Sequence, residues 1–206
     1  MTRFTKYSNI QPMIYPLIEE VAKLFSKANK PFWLGGGYSL DLLIGRKTRD
    51  HEDLDFIVNR EDQLSFQNVL VGWDLQAADP SGTATLLPWK KEHFYQLPVH
   101  NIWCRKNESS PWDLEILFSE FEGNEWVYRR NRDIRGSMDS FAWKTKNGFM
   151  VLNPEIQLLY KSRSKRPKDF QDLHNCLPVL NIKQKANLKN WIAIDSGEEH
   201  PWLKLI

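Results

Sequence analysis

Cysteine is nearly absent from this chain: Cys104 and Cys176 are the only two in 206 residues. That excludes a disulfide framework and any Cys/His zinc spacing, and it points to a reducing compartment, so the cytoplasm is the expected location. Long apolar runs are missing as well. No stretch reaches about 18 consecutive apolar residues, and Met1–Gln11 carries no basic segment leading into an apolar one, so neither membrane insertion nor secretion is indicated. Charge of one sign is also lacking. With a net charge of +2 the chain has no overall field to recruit nucleic acid, although local basic clusters exist. Several signatures can be looked for and are not there. The chain has no Gly-x-x-x-x-Gly-Lys-Ser/Thr and no His-Glu-x-x-His, and Leu40 stands where a dinucleotide fingerprint needs its third glycine.

What is present suits a globular protein, with 41% hydrophobic residues and nine tryptophans. Ile14, Leu17, Ile18, Val21, Leu24 and Phe25 recur at helical spacing and predict a helix over Tyr15–Ala28. Phe32–Leu34 reads as a short buried strand. Leu40, Leu42, Leu43 and Ile44 form a second helix stopping at Gly45, and Leu54–Val58 is the next strand. Glu61–Val71 reads as helix and Trp73–Ala78 as strand, with a turn at Asp79–Gly82 and a loop over Thr83–Leu97. Val99–Cys104 and Trp112–Phe118 are strand-like, and shorter strands follow at Glu125–Tyr128, Ser140–Thr145 and Gly148–Val151. Pro154–Ser162, Pro167–Leu177 and Ile182–Ile194 carry helical spacing. The expected fold is α/β (α+β), with a mixed-sheet unit over residues 1–150 and a helical C-terminal region over 151–206.

Side chains alternate along a strand, so Asp53 and Asp55 share one face with Cβ atoms roughly 7 Å apart. Two carboxylates so placed can share a hard divalent cation; Mg²⁺ takes oxygen ligands at about 2.0–2.1 Å and keeps room for substrate phosphates. The alternative is a solvated surface strand. Gly35, Gly36 and Gly37 join a strand to a helix, where backbone N–H groups can face an anion with no Cβ in the way, and Ser39 adds a hydroxyl in the first turn. A turn needing positive φ is the competing explanation. A third acid is offered by Trp112-Asp113-Leu114-Glu115; Asp113 and Glu115 share a face, so alternation does not choose between them. Lys161, Arg163, Lys165, Arg166 and Lys168 form a run that is either a solvated face or a partner for phosphates. Arg129, Arg130, Arg132 and Arg135 form a second such cluster. His51, two residues before Asp53, reads as a turn-fixing group rather than a metal ligand.

The run Gly35-Gly-Gly-Tyr-Ser-Leu-Asp, then Gly45-Arg-x-Thr-Arg-x-His-x-Asp-x-Asp, resembles the aminoglycoside 2''-adenylyltransferase-like family within the nucleotidyltransferase superfamily, which is built on a DNA polymerase β-like core. Asn153-Pro-Glu-Ile-Gln-Leu-Leu-Tyr-Lys, Arg166-Pro-Lys-Asp-x-x-Asp172 and His200-Pro-Trp-Leu203 are similar to the same group. The resemblance implies a small catalytic domain with a helical tail, Mg²⁺ with ATP as co-substrate, and AMP transfer to the hydroxyl of a small molecule such as an aminoglycoside. It maps Asp53 and Asp55 onto the metal pair and Glu115 onto the third acid, with Asp113 as the alternative because aspartate is commoner there. Gly36, Gly37, Ser39, Arg49, Lys161 and Lys168 are then the expected nucleotide-holding residues. Two other readings use the same core: a catalytically idle nucleotide-binding protein and a nucleic-acid module. The second would need a continuous basic track with stacking aromatics.

Overall fold

The structure, a computed structural model, describes residues 15–80, 85–164 and 166–206. The first predicted helix forms as α1 (Pro16–Phe25), with proline at its first position, and a 3₁₀ turn extends it over Ser26–Ala28. Ile14 of its apolar pattern lies outside the described residues. Next come β1 (Phe32–Leu34) and α2 (Gly36–Ile44), which takes Gly36 and Gly37 into its first turn instead of starting after them. β2 is Leu54–Asn59, so Asp53 immediately precedes the strand. The helix expected over Glu61–Val71 is a 3₁₀ turn at Arg60–Asp62 followed by α3 (Gln63–Val69), and β3 spans Asp74–Ala78.

The loop expected over Thr83–Leu97 is corrected in part. β4 (Leu86–Pro88) pairs antiparallel with β3 at the sheet edge, and a three-residue edge strand ending in proline has no alternating apolar pattern to announce it. Ser81, Gly82 and Thr83 lie outside the described residues. β5 (Asn101–Arg105), β6 (Leu114–Glu122) and β7 (Glu125–Val127) follow as expected, with β6 longer than its apolar run. β8 (Arg135–Ser137) is a strand the sequence did not announce, because it is exposed and polar. β9 (Ala142–Lys144) and β10 (Met150–Leu152) lead into α4 (Pro154–Ser162), α5 (Pro167–Cys176) and α6 (Ile182–Ser196). Asn181 and Gln184 close a reciprocal capping box on α6.

The sheet runs β4-β3-β5-β6-β2-β1-β10-β9, and β7 and β8 extend from the far end of β6. It is mixed: β2 is parallel to β6 and β1 to β10, while the other pairs are antiparallel. Each face carries its own core. On one, Leu34, Phe56, Val58, Ile102, Ile116 and Phe118 pack against Ile18 and Phe25 of α1 and Phe66 of α3. On the other, Trp33, Ile57 and Leu152 meet Leu40 and Leu43 of α2, Ile156 and Leu159 of α4, Leu173 of α5, and Leu188 and Ile192 of α6. Burying each such side chain contributes about 1.5–3 kcal/mol. The second core holds the helices over β1, β2 and β10, which carries α4 and α5 to the side of the sheet where Asp55 emerges.

Candidate active site

Parallel pairing of β2 with β6 puts Asp55 directly opposite Glu115. Asp53, Asp55 and Glu115 each offer a carboxylate oxygen, all within 4.8 Å of one another. Asp113 is not in this group; its carbonyl accepts the Leu54 N–H at 3.0 Å and so fixes the start of the β2–β6 ladder. Asn101 on β5 donates its amide to Glu115 Oε1, which orients that carboxylate. Burial, and then the charge of Asp53, push the Asp55 carboxyl up to about 6, and burial together with Asp55 raises Glu115 well above the carboxylate range. Three hard oxygen donors whose mutual repulsion a cation would relieve fit a divalent metal such as Mg²⁺.

The glycines lie directly on these acids. Gly35 N–H donates to the Asp55 carbonyl at 2.9 Å, prolonging the β1–β2 ladder. Gly36 turns the chain at φ 65°, and a Cβ there would collide with the Asp55 carboxylate. A Cβ at Gly37 would meet the His51 ring and the Arg49 guanidinium. The Gly36 N–H is taken by Gln157 Oε1 of α4 at 2.8 Å, and Ser39 Oγ donates to the Gly36 carbonyl at 2.7 Å. The strand-to-helix turn is therefore stitched to Asp55 on one side and to α4 on the other.

His51 is held against Asp41. Its Nε2 lies 2.6 Å from Asp41 Oδ2, and its Nδ1 is buried beside Gly37. Asp41 is fully buried and also accepts from Thr48 N at 3.0 Å, Thr48 Oγ1 at 2.6 Å and Tyr15 Oη at 3.2 Å. Burial alone would raise its carboxyl, but the bonds from His51 and Thr48 outweigh burial and hold it below the usual range. Asp41, Gln157 and Asn101 were not singled out in the sequence. Asp41 and Gln157 stand inside the blocks that carry the family resemblance, whereas only strand register reveals Asn101.

Arg49, Lys161 and Lys168, the cations expected at the nucleotide, are each paired with carboxylates. Arg49 makes a bidentate pair with Asp172 at 2.9 Å, and Lys161 bridges Asp169 at 3.0 Å and Asp172 at 2.8 Å. Lys161 is also close enough for its charge to act on Asp55. Lys168 pairs with Glu52 at 3.1 Å, next to Asp53. Arg163 pairs with Asp195 and Arg166 with Asp169; Lys165 lies outside the described residues.

This fold, with carboxylates meeting where β2 and β6 run side by side, is shared with solved antibiotic adenylyltransferases. The chain superimposes on a lincosamide antibiotic adenylyltransferase, LnuA, in its lincomycin-bound form, with a TM-score of 0.55 and 16% identity over 82% of this chain and 100% of that one. It also superimposes on ANT(2'')-Ia in complex with adenylyl-2''-tobramycin, with a TM-score of 0.55 and 13% identity over 86% of this chain and 96% of that one. At these identities the likeness is one of fold.

Sequence comparison narrows the class and bears out the resemblance. Residues 17–102 match the family model for aminoglycoside-2''-adenylyltransferase, a stretch that includes the glycine turn, Asp53 and Asp55 and stops before Glu115. A 2''-aminoglycoside nucleotidyltransferase of Klebsiella pneumoniae is 41% identical over 39 residues, 19% of this chain and 22% of that protein, and one from Escherichia coli matches to the same extent. The match thus spans about a fifth of the length of these relatives. Among the described residues no helix is long and apolar enough to cross a membrane.

Proposed function

We propose that the chain is a nucleotidyltransferase that transfers AMP from ATP to a hydroxyl of a small acceptor, with release of pyrophosphate. The observation that carries this reading is the meeting of Asp53, Asp55 and Glu115 within 4.8 Å, against a glycine turn that leaves no room for a Cβ. Asp53, Asp55 and Glu115 would hold Mg²⁺, which when bound neutralises phosphate charge. The names of the relatives point to aminoglycosides and lincosamides as acceptor types.

In the transfer, the acceptor oxygen bonds to the α-phosphorus, the bond from that phosphorus to the bridging oxygen breaks, and pyrophosphate leaves with the electron pair. Glu115, aimed by Asn101, takes the hydroxyl proton. Gly36 and Gly37 let the triphosphate approach the backbone, and Ser39 fixes that turn. Arg49 and Lys161, aligned by Asp172, present positive charge to the phosphates. Lys168 joins them by leaving Glu52. Positioning and fixed charge supply most of the acceleration. Residues 1–150 would supply the catalytic acids and residues 151–206 the helical wall with Lys161. A nucleic-acid acceptor fits poorly, because the basic clusters are short and mostly paired internally.

The test is pyrophosphate release with a panel of hydroxylated acceptors in wild type and D55N. A folded D55N protein should lose at least about 10²-fold in rate, and wild-type activity in that variant would remove the assignment.

A further inference from the structure

The second basic cluster, around Arg129 and Arg130, takes no part in the proposed transfer. Three strands meet one stretch of β6. Asn59 at the end of β2 stands opposite Ser119, the His100 carbonyl just before β5 accepts the Phe118 N–H at 2.8 Å, and Val127 at the end of β7 stands opposite Glu120. Arg60, His100 and Arg129 adjoin those three ends, and the charges of Arg60, Arg129 and Arg130 all act on His100. This junction is far from the carboxylates. Glu115 lies four residues before Ser119 on β6, a separation of about 13 Å at about 3.3 Å per residue.

Positive charge at the junction exceeds negative. Arg60 is buried; its Nε donates to Glu120 Oε1 at 2.7 Å and its Nη1 to the carbonyls of Tyr95 and Val99, but its Nη2 is buried with no hydrogen-bond partner among the described residues. Arg130 donates through Nη1 to the Tyr160 carbonyl at 2.8 Å and lies 5.5 Å from the centroid of the Tyr160 ring. Half-buried Arg129 lies 5.8 Å from the same centroid, and its guanidinium has neither a hydrogen bond nor a carboxylate partner among the described residues. Glu120 offsets one of the three guanidiniums, which leaves two charges uncompensated. Burial and then Arg130 hold the Arg129 guanidinium below its ordinary value, and burial with Arg129, Arg130 and Arg60 pushes His100 down to about 4. Arg132 and Arg135 differ, because Glu122 and Glu125 pair with them. A cation taken out of water without a partner is costly. A dianion at the junction relieves that cost, and guanidinium forks match the oxygens of a phosphate group.

We propose that Arg129, Arg130 and Arg60 form a binding site for a phosphate-type dianion at the far end of β6, separate from the carboxylates of the proposed transfer. It is tested on the full chain by melting wild type, R129Q and R130Q in phosphate and in chloride at matched ionic strength, at a pH where phosphate is a dianion. Phosphate also stabilises proteins by exclusion from their surface, an effect common to all variants, so the readout is the difference between them. In chloride, R129Q should melt no lower than wild type, because it removes an uncompensated charge. In phosphate it should lose the additional rise that wild type shows. The Arg129 Nε–H resonance, assigned by its loss in R129Q, should shift saturably with inorganic phosphate, and R130Q should need about tenfold more, the worth of one charge-assisted hydrogen bond. D55N should leave this shift unchanged whether or not the transferase reading holds. Glycerol phosphate titrated in the same way separates the sources: tighter binding than inorganic phosphate marks a phosphorylated metabolite, weaker binding marks the free ion, and either bears out the site. An equal phosphate response in wild type and R129Q, an Arg129 signal that chloride moves as much as phosphate, or loss of the shift in D55N overturns the proposal.

Discussion

Gly36 shows how little room a single residue leaves at this site. Its φ of 65° and the contact its absent Cβ would make with Asp55 are separate constraints. In G36A, backbone strain costs about 1–3 kcal/mol and the Asp55 carboxylate is also pushed out of line, so nucleotide binding falls together with thermal stability. Gly72 has φ 87° with nothing within 4 Å of its Cβ position, so G72A should lose stability alone. Equal effects of the two variants on nucleotide affinity, measured by calorimetry, would contradict this account.

Glu155 gives a second prediction at this scale. It lies buried in the first turn of α4, one oxygen has no hydrogen-bond partner among the described residues, and burial raises its carboxyl to about 7. Because the folded state holds the proton more tightly than the unfolded chain, this stabilisation is fully present below the ordinary carboxylate range and is lost as pH rises through 7. E155Q should therefore flatten the fall in melting temperature between pH 5 and pH 8 and be the more stable protein at pH 8. An unchanged pH profile would refute the burial argument.

At the scale of elements, the α2–β2 connection is tied to the C-terminal helices by half-buried Arg49 and by Asp172, Lys161 and Asp169, which are buried. Removing one partner of a buried pair leaves the others uncompensated and costs about 3–5 kcal/mol. D172N should therefore destabilise by on the order of 3 kcal/mol in denaturant unfolding, and should weaken ATP binding because Arg49 and Lys161 lose their alignment. A loss below 1 kcal/mol would mean that the pair behaves like a surface contact. Here the sequence was informative where local rules decide. Helical spacing marked α4 and α5, which begin at Pro154 and Pro167, and the alternation around Asp55 marked β2. β4 and β8 were not legible, because short, exposed or proline-bearing edge strands carry no apolar period. The basic run from Lys161 to Lys168 was legible as charge, but its partners Asp172, Asp195 and Glu52 come from three separate segments that only the tertiary fold brings together.

For the molecule as a whole, the two cores divide the labour. One, with α1 and α3, fixes the sheet; the other, with α2 and α4–α6, presses helices onto the face that carries Asp55. Glu115 and Asp113 could not be separated by period-two alternation, and it is the β2–β6 register that brings Glu115 rather than Asp113 into the acidic group. The central claim is that this group holds a metal-bound nucleotide. The most direct measurement is calorimetric titration of ATP into the full chain with and without Mg²⁺, alongside D53N and D55N variants shown to be folded. The account predicts saturable binding only when Mg²⁺ and both aspartates are present. Binding that survives loss of either aspartate, or that is indifferent to Mg²⁺, would contradict it.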